Sequence, residues 1–399
     1  MKNFFKRKLK NGMIVLMEKR DLPLVSASIT NRFGGAFEKS EVKGIAHFIE
    51  HLVFTGTKTR THEDISREVE KKGGILNAFT SNEVTCFWFK LPSQHLFSGL
   101  DILVDMLKNP KFDNEKFEKE KKVILEEIKM YRDDPQKHVF EKIEETLFEK
   151  PFGEGVIGNE GTIRAMSRDF VYDYFKRNYG PENYIVSIVG DADFDRICEY
   201  LEKNFEDEGK NYLNVPIVKK NGEILVKREG IDQANFIFGV HAPLAGSKEY
   251  YDLEVLDAYL ADGMSSRLFL KIREEKGLAY AVKSSISAEK NYSYYLIYLG
   301  TMKDAVNEVR RIILDEFEKI KEMKDVDLKE ARERVIGLRR IAAEDSSRVM
   351  QELLFAELIG DAKSYYKHEE MIKKVKLEDV KTLAKELIRG HSIAMVLPD

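Results

Sequence analysis

Two spacings of apolar residues organise this chain, and each predicts its own kind of element. Period-two or continuous apolar runs, the signature of strands, fall at 13–17 after the Asn11-Gly12 turn and at 24–30. They recur at 75–80, 84–91 and 184–191. Helical spacing appears at 44–54, then from Thr61, a capping residue, through Lys72. His95, Leu96, Leu100, Leu103, Val104 and Leu107 continue it until Asn109-Pro110. Further helices are predicted over 114–132, 167–178 and onward to 205. The stretch 206–222 is polar and irregular and reads as a linker, centred on 211–222.

One helix stands apart. Gly44-Ile45-Ala46-His47-Phe48-Ile49-Glu50-His51-Leu52-Val53-Phe54 is apolar nearly all round. A helix turns about 100° per residue, so His47, Glu50 and His51 share one face. Two imidazoles and a carboxylate among apolar neighbours are costly unless they bind something. A divalent metal, zinc in the first instance, is the simplest occupant. His47 and His51 would be ligands, and Glu50 would stand beside the ion without binding it. The arrangement is H-x-x-E-H, a metalloprotease signature. The alternative is a pair of core histidines four apart by chance, and a third ligand decides between them.

Helix 114–132 offers that ligand. Phe117, Ile124, Ile128 and Tyr131 form its apolar stripe, opposite Lys119, Lys122, Glu126 and Lys129. Glu120 and Glu127 fall on the apolar side, two turns apart, where glutamates are rare. Glu127 is therefore the expected third metal ligand, completing a His, His, Glu set with an open position for water. Zinc would lower the pKa of that water, and Glu50 would take its proton and deliver it to the leaving amine. Glu120 would orient a ligand by hydrogen bonding.

The pattern then repeats. Residues 163–171 match 372–380, and 185–189 match 393–397. Val123-Ile124 matches Val335-Ile336, which sets Glu120 and Glu127 against Arg332 and Arg339. The counterpart of the histidine helix, around 253–260, has no histidine pair. We therefore expect an α+β fold of two homologous domains, each a mainly antiparallel sheet covered by helices, at 1–210 and 223–399, with a metal site in the first alone. The 399 residues suffice for two full cores. Net charge is −4 with both signs interspersed, which points away from nucleic-acid and membrane-surface partners. Cys86 and Cys198 lack metal-type neighbours and read as buried apolar residues. The charged N-terminus carries no apolar secretory core, and no apolar run could span a bilayer, so a cytoplasmic protein is expected.

His47-Phe48-Ile49-Glu50-His51 with Glu127 far downstream resembles the pitrilysin, or M16, family of zinc metallopeptidases, the inverzincins. The short chain of two similar halves resembles the mitochondrial-processing-peptidase-like branch. Ser265-Ser266-Arg267-Leu268-Phe269, continuing through Arg273-Glu274-Glu275-Lys276-Gly277-Leu278-Ala279-Tyr280, is similar to the family's second-domain signature. That likeness implies that Arg273 and Tyr280 reach the substrate, with Tyr280 near the scissile carbonyl. Leu76-Asn77-Ala78-Phe79-Thr80-Ser81 resembles the family's substrate-docking edge strand, which gives Asn77, Ala78 and Phe79 a substrate-binding role by analogy. The resemblance implies a zinc endopeptidase that cleaves short unstructured peptides inside a chamber shared by two chains. The expected assembly is a homodimer, with a heterodimer containing a non-catalytic relative as the rival. Two other functions remain open: a non-catalytic core-protein-like relative, and a presequence-processing peptidase working with a partner subunit. The other histidines, His62, His95, His138, His241, His368 and His391, match no ligand pattern.

Overall fold

The computed structural model describes residues 3–205 and 215–399. The first half runs β1 (Phe4–Lys8), β2 (Ile14–Lys19), β3 (Leu24–Asn31), α1 (Ile45–Val53), α2 (His62–Glu70), β4 (Ile75–Thr80), β5 (Thr85–Pro92), α3 (Leu96–Lys108) and α4 (Asn114–Asp133). It continues through α5 (Pro135–Leu147), α6 (Glu160–Ala165), α7 (Arg168–Asn178), β6 (Tyr184–Gly190) and α8 (Phe194–Asn204). The second half runs β7 (Glu223–Arg228), β8 (Ala234–His241), α9 (Lys248–Leu260), β9 (Ala279–Ala288), β10 (Ser293–Thr301), α10 (Val306–Lys319) and α11 (Asp325–Ala342). It closes with α12 (Ser346–Ile359), α13 (His368–Lys374), α14 (Leu377–Leu387) and β11 (His391–Pro398).

Two sheets carry the repeat. Their strand orders are β1-β2-β6-β3-β5-β4 and β7-β11-β8-β10-β9. Apart from the added β1, the second order reproduces the first element for element. In each sheet one pair is parallel, β2 with β6 and β7 with β11, and every other pair is antiparallel. The expected α+β class and mainly antiparallel sheets are therefore what the chain adopts. β4 and β9 are edge strands, each with one side free of a partner.

The compact units are not contiguous in sequence. One comprises 1–129, 154–216 and 343–357; the other comprises 130–153, 217–342 and 358–399. Each half thus lends a helix to the other half's sheet, across the boundary that the sequence suggests at 211–222. In the first unit, α12 lies on small polar residues of the sheet. Ser26 Oγ meets Ser346 Oγ at 2.9 Å, and Ser187 Oγ donates to the Met350 carbonyl at 2.8 Å. Val25, Ala27 and Ile29 of β3 point to the opposite face and join the main core, as strand alternation requires. In the second unit, α5 packs on β8 and β11. Gly239 of β8 leaves room for Ile143, whose side chain would lie 3.0 Å from any added Cβ. Of the expected linker, 211–214 lie outside the described residues. Residues 217–222 are ordered against the second unit, where Lys220 N donates to the Leu147 carbonyl at 2.9 Å.

Tyr131 departs from its expected place on the buried stripe of α4. It is 37% exposed and stacks under the Lys137 ammonium, 4.4 Å from the ring centroid. The core contacts of this helix come from Phe117, Ile124, Leu125 and Ile128.

Candidate metal centre

The centre is built on α1, which lacks an ordinary start. Its N-cap position is Gly44, with φ 94°, and glycine has no side chain to accept from the first amides. Glu38 supplies the acceptor instead. Its carboxylate takes the Gly44 amide at 3.0 Å and the Ala46 amide at 2.7 Å. Lys43, fully buried, sits 3.9 Å from the same carboxylate and donates to the Gly35 carbonyl at 2.7 Å. Burial pushes the Glu38 carboxyl up to about 7, against the pull of Lys43 and the two amides. The Gly-rich passage beyond α5 braces this entry. A Cβ on Gly44 would fall 2.6 Å from the Ile157 carbonyl oxygen, and one on Gly158 would fall 2.4 Å from that of Lys43.

From that start, helical geometry sets His47, Glu50 and His51 on one side of α1, all partly buried. The imidazoles meet edge to face with centroids 4.7 Å apart. Both turn Nε2 toward one oxygen of Glu127 on α4, at 3.9 Å from His47 and 3.6 Å from His51. Among the described residues, His47, His51 and Glu127 form the one group whose donor atoms could hold a metal ion, all within 4.8 Å of one another. Donors bound about 2.1 Å from one tetrahedral ion lie about 3.4 Å apart, so the set fits zinc with little movement. Glu120, one helical repeat earlier on α4, meets His51 Nδ1 at 3.2 Å. That contact orients the ring and leaves Nε2 for the ion. The buried His47 Nδ1 has no hydrogen-bond partner among the described residues.

The electrostatics favour a cation. Three carboxylates surround two imidazoles. Burial, then the neighbouring His51, pulls His47 down to about 4. Burial also works against charge on His51, but its hydrogen bonds to Glu120 and Glu127 outweigh it and lift the ring to about 9. Burial raises the Glu50 carboxyl above its usual range, opposed by a hydrogen bond from Thr80 Oγ1 to Glu50 Oε2. Glu50 is thus held beside the donor set with a raised proton affinity, as a general base requires.

A cleft of about 320 Å³ opens next to the centre, lined by Glu50, His51, His62, Leu76, Asn77 and Ala78 among others. Edge strand β4 forms one wall. Phe79, also given a substrate role by analogy, stacks on Phe355 of α12, 6.4 Å between centroids. His62, without a role in the sequence reading, lines the cleft and contacts the Phe54 carbonyl through Nδ1 at 3.0 Å. Its position at the start of α2, after a Thr61 cap, gave no hint of the site. Thr80 and Glu38 were also missed. The one available signal for Glu38 was negative, a helix opening on glycine with no capping side chain.

Arg273 and Tyr280 lie in the second unit. Arg273 sits in a π-helical turn, Phe269–Glu275, over the Phe269 ring at 4.9 Å. Tyr280 is 75% exposed on edge strand β9, just past Gly277, whose φ of 61° permits the tight exit from that turn. On α11, Arg332 and Arg339 stand where α4 carries its two glutamates.

Comparison with known proteins agrees with this geometry. Residues 14–160 match the insulinase family model, peptidase family M16, and 165–335 match the model described as the peptidase M16 inactive domain. The chain belongs to peptidase family M16. The uncharacterized zinc protease YmxG of Bacillus subtilis is 30% identical over 97% of both chains. An uncharacterized zinc protease of Rickettsia felis is 32% identical over 80% of this chain and 79% of its own. Among solved structures, a protease from Helicobacter pylori superimposes with a TM-score of 0.93 at 20% identity, covering 99% of each chain. A Pseudomonas fluorescens structure described as a peptidase M16 inactive domain gives 0.89 at 15% identity, over 100% of this chain and 98% of its own. The M16 fold thus spans the whole chain. The first-half match holds the histidine–glutamate cluster, and the second-half match carries the inactive-domain description. No helix among the described residues is long and apolar enough to cross a membrane.

Proposed function

We propose that this chain is a zinc-dependent endopeptidase acting on short, extended peptides. The observation that carries the reading is the convergence of His47, His51 and Glu127, with Glu50 unligated beside them at the wall of a cleft. When bound, zinc supplies Lewis acidity, lowering the pKa of a water and polarising a carbonyl. Glu50 then accepts a proton and passes it to the leaving amine; its Thr80 hydrogen bond fixes which oxygen is free to do so. Glu120 keeps His51 in one ring orientation.

Substrate selection for extended chains is supported by β4. As an edge strand it offers backbone groups for strand addition, and Asn77 and Ala78 face the cleft. The Ala78 amide, which points away from the sheet, is held at 2.8 Å by the Asn77 side chain. An incoming peptide carbonyl would take its place. Within the same reading, Arg273 and Tyr280 donate hydrogen bonds to the scissile carbonyl, and a second copy of the chain completes the chamber.

The test is direct. The purified chain should contain about one zinc per chain and cleave internally quenched peptides, losing turnover to a chelator and regaining it with zinc. Glu50→Gln should keep the metal and lose about 10³-fold in kcat. Equal cleavage by variant and wild type would remove Glu50 as the base; absence of zinc binding and of cleavage in the wild type would overturn the proposal.

A further inference from the structure

The cleft contains a charge that the peptidase reading leaves unused. Lys116 and Lys119 of α4 both line it. They are three apart on the helix and so share a face, and Lys119 directly precedes Glu120. Neither ammonium has a hydrogen bond or ion pair among the described residues. Of the helix's other lysines, Lys121 Nζ donates to the Met166 carbonyl at 2.7 Å and Lys129 Nζ to Glu126 at 2.7 Å, while Lys122, also without a partner among the described residues, does not line the cleft. The cleft's own carboxylates are also taken, Glu120 by His51 and Glu50 by Thr80. Two cations therefore line a binding cleft whose acids are already satisfied, together with residues of the edge strand on which a peptide would lie.

We propose that Lys116 and Lys119 are specificity residues that select a peptide bearing a carboxylate close to the scissile bond. The inference rests on the peptidase reading for the identity of the ligand. The carboxylate is that of an Asp or Glu side chain or of a nearby C-terminus; both present the same group to the two ammoniums. The contact is solvent-exposed, so its effect is modest and salt-dependent. It acts on binding, and therefore on KM.

The test uses the full-length zinc-loaded chain and a neutral quenched peptide. Glu is compared with Gln at each of three positions on either side of the cleaved bond, and a free C-terminus with its amide. One position, or the terminus, should raise kcat/KM about fivefold through KM. The gain should shrink toward unity at high salt and reverse in Lys116→Glu/Lys119→Glu. A gain in the Glu–Gln series assigns the side chain, and a gain in the acid–amide pair assigns the terminus. In parallel, fluorescence anisotropy on Glu50→Gln measures binding of the same labelled peptides without turnover. Equal binding and cleavage of acidic and amide peptides, with cleavage intact, would sink the lysine assignment and leave the peptidase. So would an acidic preference that survives in Lys116→Met/Lys119→Met. An acidic preference in binding without any cleavage would do the reverse. Neither binding nor cleavage would end both.

Discussion

Glu38 shows how one residue outside the motif itself can govern a site. Its carboxylate is fully buried, accepts the first amides of α1 and sits beside buried Lys43. When ionised, its negative charge also complements the positive end of the helix that presents both histidines. The folded carboxyl lies near 7, above its usual 4.5, with burial as the cause. Between those values the native chain keeps a proton that the unfolded chain has released. The unfolding free energy contributed by this group is therefore fully present below about pH 4.5 and is lost as pH rises toward 7. The loss comes to about 3 kcal/mol. Glu38→Gln removes the titration, so wild type minus variant, followed by urea unfolding across this range, should slope downward by about that amount. A flat difference curve would show that Glu38 is ionised throughout. Glu38 has no periodic neighbour and no motif, and its one local mark is indirect, the absent side-chain cap at Gly44. His47, Glu50 and His51 were legible because one helix turn brings them together without help from the rest of the chain.

At the scale of elements, the question is what aims α1. Its start is a backbone-to-backbone contact: Gly44 at φ 94° lies against Ile157 and Gly158. Gly44→Ala must pay for a left-handed backbone and displace the 157–158 carbonyl region. We expect it to destabilise the chain by about 2–4 kcal/mol and to weaken zinc binding, because the helix that bears both ring ligands loses its seat. Chemical denaturation and zinc titration measure the two effects, and an unchanged midpoint would remove the contact as a determinant. The paired helix α4 was easier to read. Its glutamates stood out against an apolar stripe, although Tyr131, assigned to that stripe by spacing alone, turned outward. Spacing tells which residues share a face and not how wide the buried part of that face is.

At the scale of the molecule, each unit is completed by a helix from the other half of the chain. Val349, Met350, Leu353 and Leu354 of α12 are fully buried within the first unit, although they lie far beyond 210 in sequence. A fragment ending at 210 would keep His47, His51 and Glu127 but expose the face of the sheet that α12 covers. We expect such a fragment, produced alone, to aggregate or to unfold without a cooperative transition, while co-expression with 211–399 restores soluble, zinc-binding protein. Circular dichroism melts and zinc content of the two preparations check this; a fragment that folds cooperatively by itself would show that the loaned helix is dispensable.

The chain's own pattern determined the duplicated α+β plan, most strands and helices of the first half, and the single face that gathers two imidazoles and a carboxylate. These follow from apolar spacing along a continuous segment, where the period and the covalent chain do the positioning. Tertiary structure alone decided which oxygen of Glu127 both rings would face, that Thr80 would hold Glu50 and Glu38 would cap α1, and that α5 and α12 would change places. Apart from the Glu38 cap, which spans six to eight residues, those contacts join residues remote in sequence through hydrogen bonds and packing. Such contacts depend on where whole elements dock, and they leave no period for the sequence to reveal.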